Sequence, residues 1–315
     1  MKMKKSQHNI FVRFGAGFWK HRAAYMFLAP LLIGITVFSY YPPAYGLMLS
    51  FFKKSSGSPM EFIGLGNFKE LFRDPVFLNS IPTMFKIMIP RLIISIFVPL
   101  IAAELVFSVR RLKLQSAYRV IMLLPIVAPG IVGMLIWRNL LSAEGLLTTV
   151  VKGLSLAAPD RVLDWLNDPS TVIFAIIFMG FPWIGGTAVL IYLSGLMNVP
   201  EQVFEASRLD GCTGIKRFFY IDLPFLAGQI RYFLIFGIIG GLQDYGTQVV
   251  LTQGGPGWAT YVPGYYMYVK GYVHDEAGYA AAIGSVLFVA IMAVTAVAFR
   301  FVNMPGFNRK VGKDF

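Results

Sequence analysis

Charge, cysteine and histidine are all scarce in this chain. Only 14% of its 315 residues are charged, against about 25% in an ordinary soluble domain, which excludes a conventional water-soluble globule. The single cysteine, Cys212, rules out an intrachain disulfide. With three histidines and no Cys/His spacing, no metal-ligand pattern remains. No GxxxxGK[ST] loop occurs, so the chain has no phosphate cradle of that kind, and ATP and Mg²⁺, if used, belong to another polypeptide. Nor do its apolar stretches hold an HExxH or a paired-acid constellation that could support intramembrane catalysis.

What is plentiful is apolar surface. Hydrophobic residues make up 56% of the chain and aromatics 15%, and several runs exceed the ~18–20 residues needed to cross a hydrocarbon core. Six spans fit, at residues 23–52, 81–109, 120–140, 171–193, 229–251 and 280–302. The expected fold class is therefore all-α: a polytopic membrane protein with six transmembrane helices over residues 23–302. A short segment, 1–22, precedes them and a tail, 303–315, follows. The first run follows a basic stretch but is too long for a signal-peptide core and has no small-residue cleavage site after it, so it reads as a retained helix.

The net charge of +12 does not point to nucleic acid, because the bases gather at the ends of the apolar runs. Placing the N-terminus inside puts 17 Lys and Arg in the cytoplasmic segments and 7 in the outer loops, while acids run the other way, nine outside and five inside. The positive-inside rule then assigns both termini to the cytoplasm.

Between the fourth and fifth spans lies a polar island, Glu205-Ala206-Ser207-Arg208-Leu209-Asp210-Gly211 and onward to Leu223-Pro224. Its pattern predicts a hairpin over 199–224. A short helix over residues 200–208 leads to a reversal at Gly211 and Gly214, which tolerate backbone angles closed to other residues. A second amphipathic piece over 215–220 is stopped by Leu223-Pro224. Composition alone favours an ordinary interhelical loop resting on lipid headgroups over a functional hairpin.

The spacing of this island resembles the EAA loop of permease subunits of ATP-binding cassette importers. The matching positions are Glu205, Ala206, Gly211, Ile221, Leu223 and Pro224, with Ser207 in place of the second alanine. Further stretches resemble carbohydrate-type members of that family: residues 62–68 with Asp74-Pro75, Leu123-Leu124-Pro125 through Trp137-Arg138, and Asp244 followed by residues 251–256. The resemblance implies a type I ABC importer permease fold in a bacterial cell membrane, working by alternating access. It implies a second homologous permease, two cytosolic ATP-binding subunits that carry ATP and Mg²⁺, and an extracellular or periplasmic solute-binding protein. The cargo implied is a sugar or oligosaccharide, with another solute such as glycerol phosphate as the alternative; the alternative of another class is an ion-coupled secondary transporter, against which the Glu205 island argues. Glu205, Ala206, Ser207, Asp210, Gly211, Ile221, Leu223 and Pro224 then form the element that docks on the ATPase.

Ionisable groups within membrane spans cost at least ~2.5 kcal/mol near a helix centre, so each needs a reason. Arg91 lies about 15 Å into the second span and Asp244 about 10 Å below the outer end of the fifth. They could pair with each other, or either could touch cargo. Lys86 is close enough to the outer end to snorkel. With Arg91 it suggests an acidic oligosaccharide as cargo. Trp183, Thr187 and Tyr192 in the fourth span, and Gln243 and Gln248 in the fifth, offer the rings and hydrogen-bonding groups that a carbohydrate path needs. Glu104 is expected at the inner interface near Arg110 and Arg111.

Overall fold

The computed structural model describes residues 22–154 and 163–302. Residues 1–21 of the segment expected at 1–22, and the whole tail expected at 303–315, lie outside the described residues. Apart from a two-residue hairpin pairing Phe52–Lys53 with Glu61–Phe62, the regular structure is helical.

Among the described residues, four helices are long and apolar enough to cross a membrane. They are α1 (Ala23–Leu49), α2 (Pro75–Phe107), α9 (Ala227–Thr252) and α10 (Ala277–Val302). The expected third span is a bent pair, α3 (Leu112–Val127) and α4 (Gly130–Leu140), meeting at 86° across Pro129. The expected fourth span is not continuous. It divides into α5 (Val172–Phe178) and α6 (Gly186–Met197), separated by an irregular Met179–Gly185. Pro182 lies in that break and Trp183 takes a left-handed φ of 58°. Among the described residues, four of the six expected spans thus fall on long apolar helices and a fifth on the bent pair, so the expected count of six is not reached.

Helix α2 is the axis of the bundle. Asp74 starts it: its side chain accepts hydrogen bonds from the amides of Val76 (2.8 Å) and Phe77 (3.5 Å), and Pro75 fills the first turn. The same carboxylate accepts from the hydroxyls of Tyr266 and Tyr279 (2.8 Å for Tyr279), binding the N-terminal ends of α2 and α10 together. Burial pushes the Asp74 pKa up, but the two tyrosines and the two amides outweigh it and hold the carboxyl below its ordinary value. Further along, α2 packs on α6 and α9. Gly237 and Gly241, one turn apart on α9, make close contact possible, since a Cβ on either would come within 2.4 Å of Leu92 or Met88.

Two of the apolar cores matter for function. One joins Met84, Ile87 and Met88 of α2 to Leu242, Val262 and Tyr265. The other, at the opposite end of α2, joins Leu100, Ala103 and Val106 to Tyr192, Leu193 and Leu196 of α6 and to Leu226.

Candidate functional site

Two features stand out, a cavity between α2 and α9 and a hairpin projecting from the far end of the same helices. The hairpin consists of α7 (Glu201–Leu209) and α8 (residues 215–225). The expected reversal occurs where it was placed. Gly211 has φ 68° and Gly214 φ 56°. The amide of Cys212 donates to the Ser207 carbonyl (2.8 Å) and that of Gly211 to the Arg208 carbonyl (3.2 Å), the paired bonds of a Schellman cap. Leu223-Pro224 does not stop the second arm as expected. The helix widens into a π-type turn at Phe218–Asp222, where the Leu223 amide reaches back to the Phe218 carbonyl, and runs on to Phe225. A widened turn accommodates a proline that cannot donate to the residue four earlier.

The hairpin has an inner and an outer face, and the expected docking residues divide between them. Glu205, Ala206, Asp210, Gly211 and Pro224 are exposed; Ser207 is buried and donates to the Phe204 carbonyl (2.8 Å); Leu223 packs into the core beneath. Ile221 is half-buried. Sequence reasoning missed Leu209, Ile215, Phe219 and Tyr220, large apolar side chains standing on the exposed surface of the hairpin. Apolar residues inside an otherwise polar island were the available signal.

Beneath the hairpin, Arg217 forks between two carboxylates. Its Nε donates to Asp222 (2.8 Å) and its Nη2 to Glu104 of α2. The rings of Phe204 and Phe107 lie 5.4 and 5.8 Å from the guanidinium carbon. Glu104 therefore pairs with Arg217 of the hairpin, and no ion pair joins it to Arg110 or Arg111 among the described residues.

The cavity has a volume of about 350 Å³, at the lower end of the range for small-molecule sites. Arg91, Ser95, Asp244, Thr247 and Gln248 supply its polar wall, and Met84, Ile87, Met88, Leu92, Met134 and Val262 its apolar one. Asp244 ends the first helical stretch of α9 with an extended backbone and caps the next. It accepts from the Thr247 amide (3.3 Å) and the Thr247 hydroxyl (2.9 Å). Arg91 Nη1 donates to the same carboxylate at 2.9 Å and to Thr247 Oγ1 at 3.3 Å. Gln248 is buried, and its Oε1 accepts no hydrogen bond among the described residues.

Of the eight path candidates, Arg91, Asp244 and Gln248 line this cavity; Ser95 and Thr247 were missed. Lys86 is exposed and off the cavity wall. Five residues from Arg91, it lies about 140° around the helix. Trp183 stacks edge-on with Phe178 and Phe181 and donates to the Ile177 carbonyl (3.2 Å), closing the break in the fourth span. Thr187 and Gln243 are exposed away from the cavity. Tyr192 is fully buried in the core under the hairpin, against Phe233, so it lines no path in this state.

Residues 77–311 match the profile of the family described as binding-protein-dependent transport system inner membrane component. The chain belongs to that family. It is 30% identical over 279 residues to the probable ABC transporter permease protein YurN of Bacillus subtilis, covering 88% of this chain and 94% of the relative. It is also 30% identical to the arabinooligosaccharides transport system permease protein AraP of the same species (89% and 88% covered). With the sn-glycerol-3-phosphate transport system permease protein UgpA of Agrobacterium fabrum it shares 29% (89% and 94%). Among solved structures it superposes on a chain of a bacterial ABC transporter that imports the acidic polysaccharide alginate. The TM-score is 0.80 at 21% identity, over 96% of this chain and 100% of that one. The likeness to that structure is one of fold. The protein is thus an inner-membrane permease component of an ABC importer.

Proposed function

We propose that this permease is one of two transmembrane subunits of an importer for a sugar or short oligosaccharide, with the hairpin docked on a cytosolic ATPase. The observation that carries the reading is the hairpin itself. Its inner face is tied to α2 and its outer face bears Leu209, Ile215, Phe219 and Tyr220 in the open beside Glu205 and Asp210. An exposed apolar patch rimmed by charge is the signature of a protein interface. The positive-inside count puts that face in the cytoplasm, where an ATPase would meet it. Helix α1, none of whose most apolar stretch is buried within this chain, supplies surface for lipid and for the second permease. An extracellular or periplasmic binding protein would deliver cargo to the opposite end.

The cavity favours a neutral, hydroxyl-rich cargo. Arg91 and Asp244 cancel in charge, Lys86 is turned elsewhere, and the free Gln248 Oε1 wants a donor such as a sugar hydroxyl. The acidic cargo expected from two adjacent cations lacks its second cation here. Glycerol phosphate, the alternative solute, meets the same objection.

Proteoliposomes holding the complete importer test this. ATP-dependent uptake should be seen with neutral arabino-oligosaccharides, and uronate oligomers should not compete. Uptake of uronates or of glycerol phosphate in preference to neutral sugars would refute the cargo assignment. ATP-independent uptake driven by an ion gradient would refute the class.

A further inference from the structure

Helix α2 is tied by charge at two points to one stretch of chain. Arg91, near its middle, binds Asp244 within α9, and Glu104, 13 residues later, binds Arg217 just before α9 begins. The ties lie about 20 Å apart along α2. On the α9 stretch, between the two ties, Gly237 and Gly241 let the helix lie directly on Leu92 and Met88 of α2.

The lower tie is built to hold. Asp222 is fully buried, and the side chains of Glu104 and Arg217 are only 17% and 25% exposed. Removing one partner from a buried pair strands a charge in low dielectric, so such a contact does not come and go. Both arms of the hairpin share in it, Phe204 from α7 and Arg217 from α8, and both press on the end of α2 at Phe107 and Glu104.

From this placement we infer that the Glu104–Arg217 tie passes movement of the hairpin into α2 and so to the cavity wall. Glu104 is a positioning residue for coupling that touches neither cargo nor ATPase. The inference rests on the hairpin being the ATPase dock. The Arg217–Asp222 bond lies within the hairpin and survives loss of Glu104, so Glu104→Leu cuts the tie and leaves the hairpin folded.

The test uses the whole importer, with Ser95→Cys reporting from the cavity wall and Cys212→Ser removing the native thiol. The rate at which a small water-soluble thiol reagent modifies position 95 is measured with and without Mg²⁺ and a non-hydrolysable ATP analogue. In the parent complex nucleotide should change that rate about fivefold or more. In Glu104→Leu the change should vanish while the ATPase still co-purifies and hydrolyses ATP. Glu104→Gln, which can still accept from Arg217, should recover part of it. An undiminished response in Glu104→Leu overturns the inference. So does loss of the ATPase from both Glu104 variants, because the tie would then shape the dock instead of relaying its movement. A parent complex indifferent to nucleotide brings down the reading of the hairpin as a dock, and this inference with it.

Discussion

The two charged clusters on α2 use similar residues for opposite purposes. Arg91 and Asp244 stand at a cavity wall with side chains 32% and 28% exposed, where water or a hydroxyl can compete for their hydrogen bonds. Glu104, Arg217 and Asp222 sit under two aromatic rings, with Asp222 sealed from solvent. An exposed pair gains little from its Coulomb energy and is free to trade partners. A buried one has lost its hydration on folding and becomes a fastener. Exposure, more than residue type, separates a binding surface from a joint.

Breaking the joint should have the largest effect. Asp222→Ala leaves the half-buried Arg217 with one acid, and should cost roughly 3–5 kcal/mol. A fall in the thermal midpoint of the detergent-purified complex would register it, and a loss under about 1 kcal/mol would mean that the cluster behaves like a surface pair. Gly211→Ala comes next. Its φ of 68° should penalise a side chain by about 1–2 kcal/mol, although no atom crowds the site. That loss should appear as faster proteolysis at the hairpin while the cavity end is unchanged.

Asp74 is a third fastener, at the N-terminal end of α2, and it is sensitive to pH. Because its folded pKa is depressed, its contribution is complete above the ordinary carboxylate value near 3.8 and is lost as pH falls through the lowered one. Asp74→Asn should cost about 1 kcal/mol at neutral pH, because a neutral amide accepts more weakly than a carboxylate from the Tyr266 and Tyr279 hydroxyls. The gap between variant and parent melting temperatures should close as the buffer approaches pH 3. A gap independent of pH would show the carboxylate to be idle. Arg91→Ala should perturb stability least, by about 1 kcal/mol or less, yet it should cut sugar uptake severalfold. Normal uptake would remove Arg91 from the path and with it one side of the comparison.

How far these features could be read in advance depended on distance along the chain. The hairpin was legible because its glycines and its polar run are local signals, and Gly211 and Gly214 do take the left-handed angles expected of them. The Arg91–Asp244 pair was legible because two opposite charges in apolar helices seek each other. The Glu104–Arg217 tie was not, since 113 residues separate its partners and a nearer arginine pair offered a simpler account. The break in the fourth span was hidden for another reason. Met179–Gly185 is itself apolar, so hydropathy runs through it without a dip while Pro182 and the turned backbone at Trp183 end the helix. Tyr192 shows the limit of residue chemistry as a guide: a ring suited to stacking on sugar is spent filling the core beneath the hairpin.

The central claim is that the outer face of the hairpin meets the ATPase, and Leu209, 90% exposed at the tip of α7, is the place to ask. A photo-crosslinking amino acid at position 209, activated in membranes of cells expressing the whole importer, should capture the ATPase subunit. The same group at Ser56, at the opposite end of the molecule, should not. Capture from position 56 with none from 209, or capture of neither, would contradict the account.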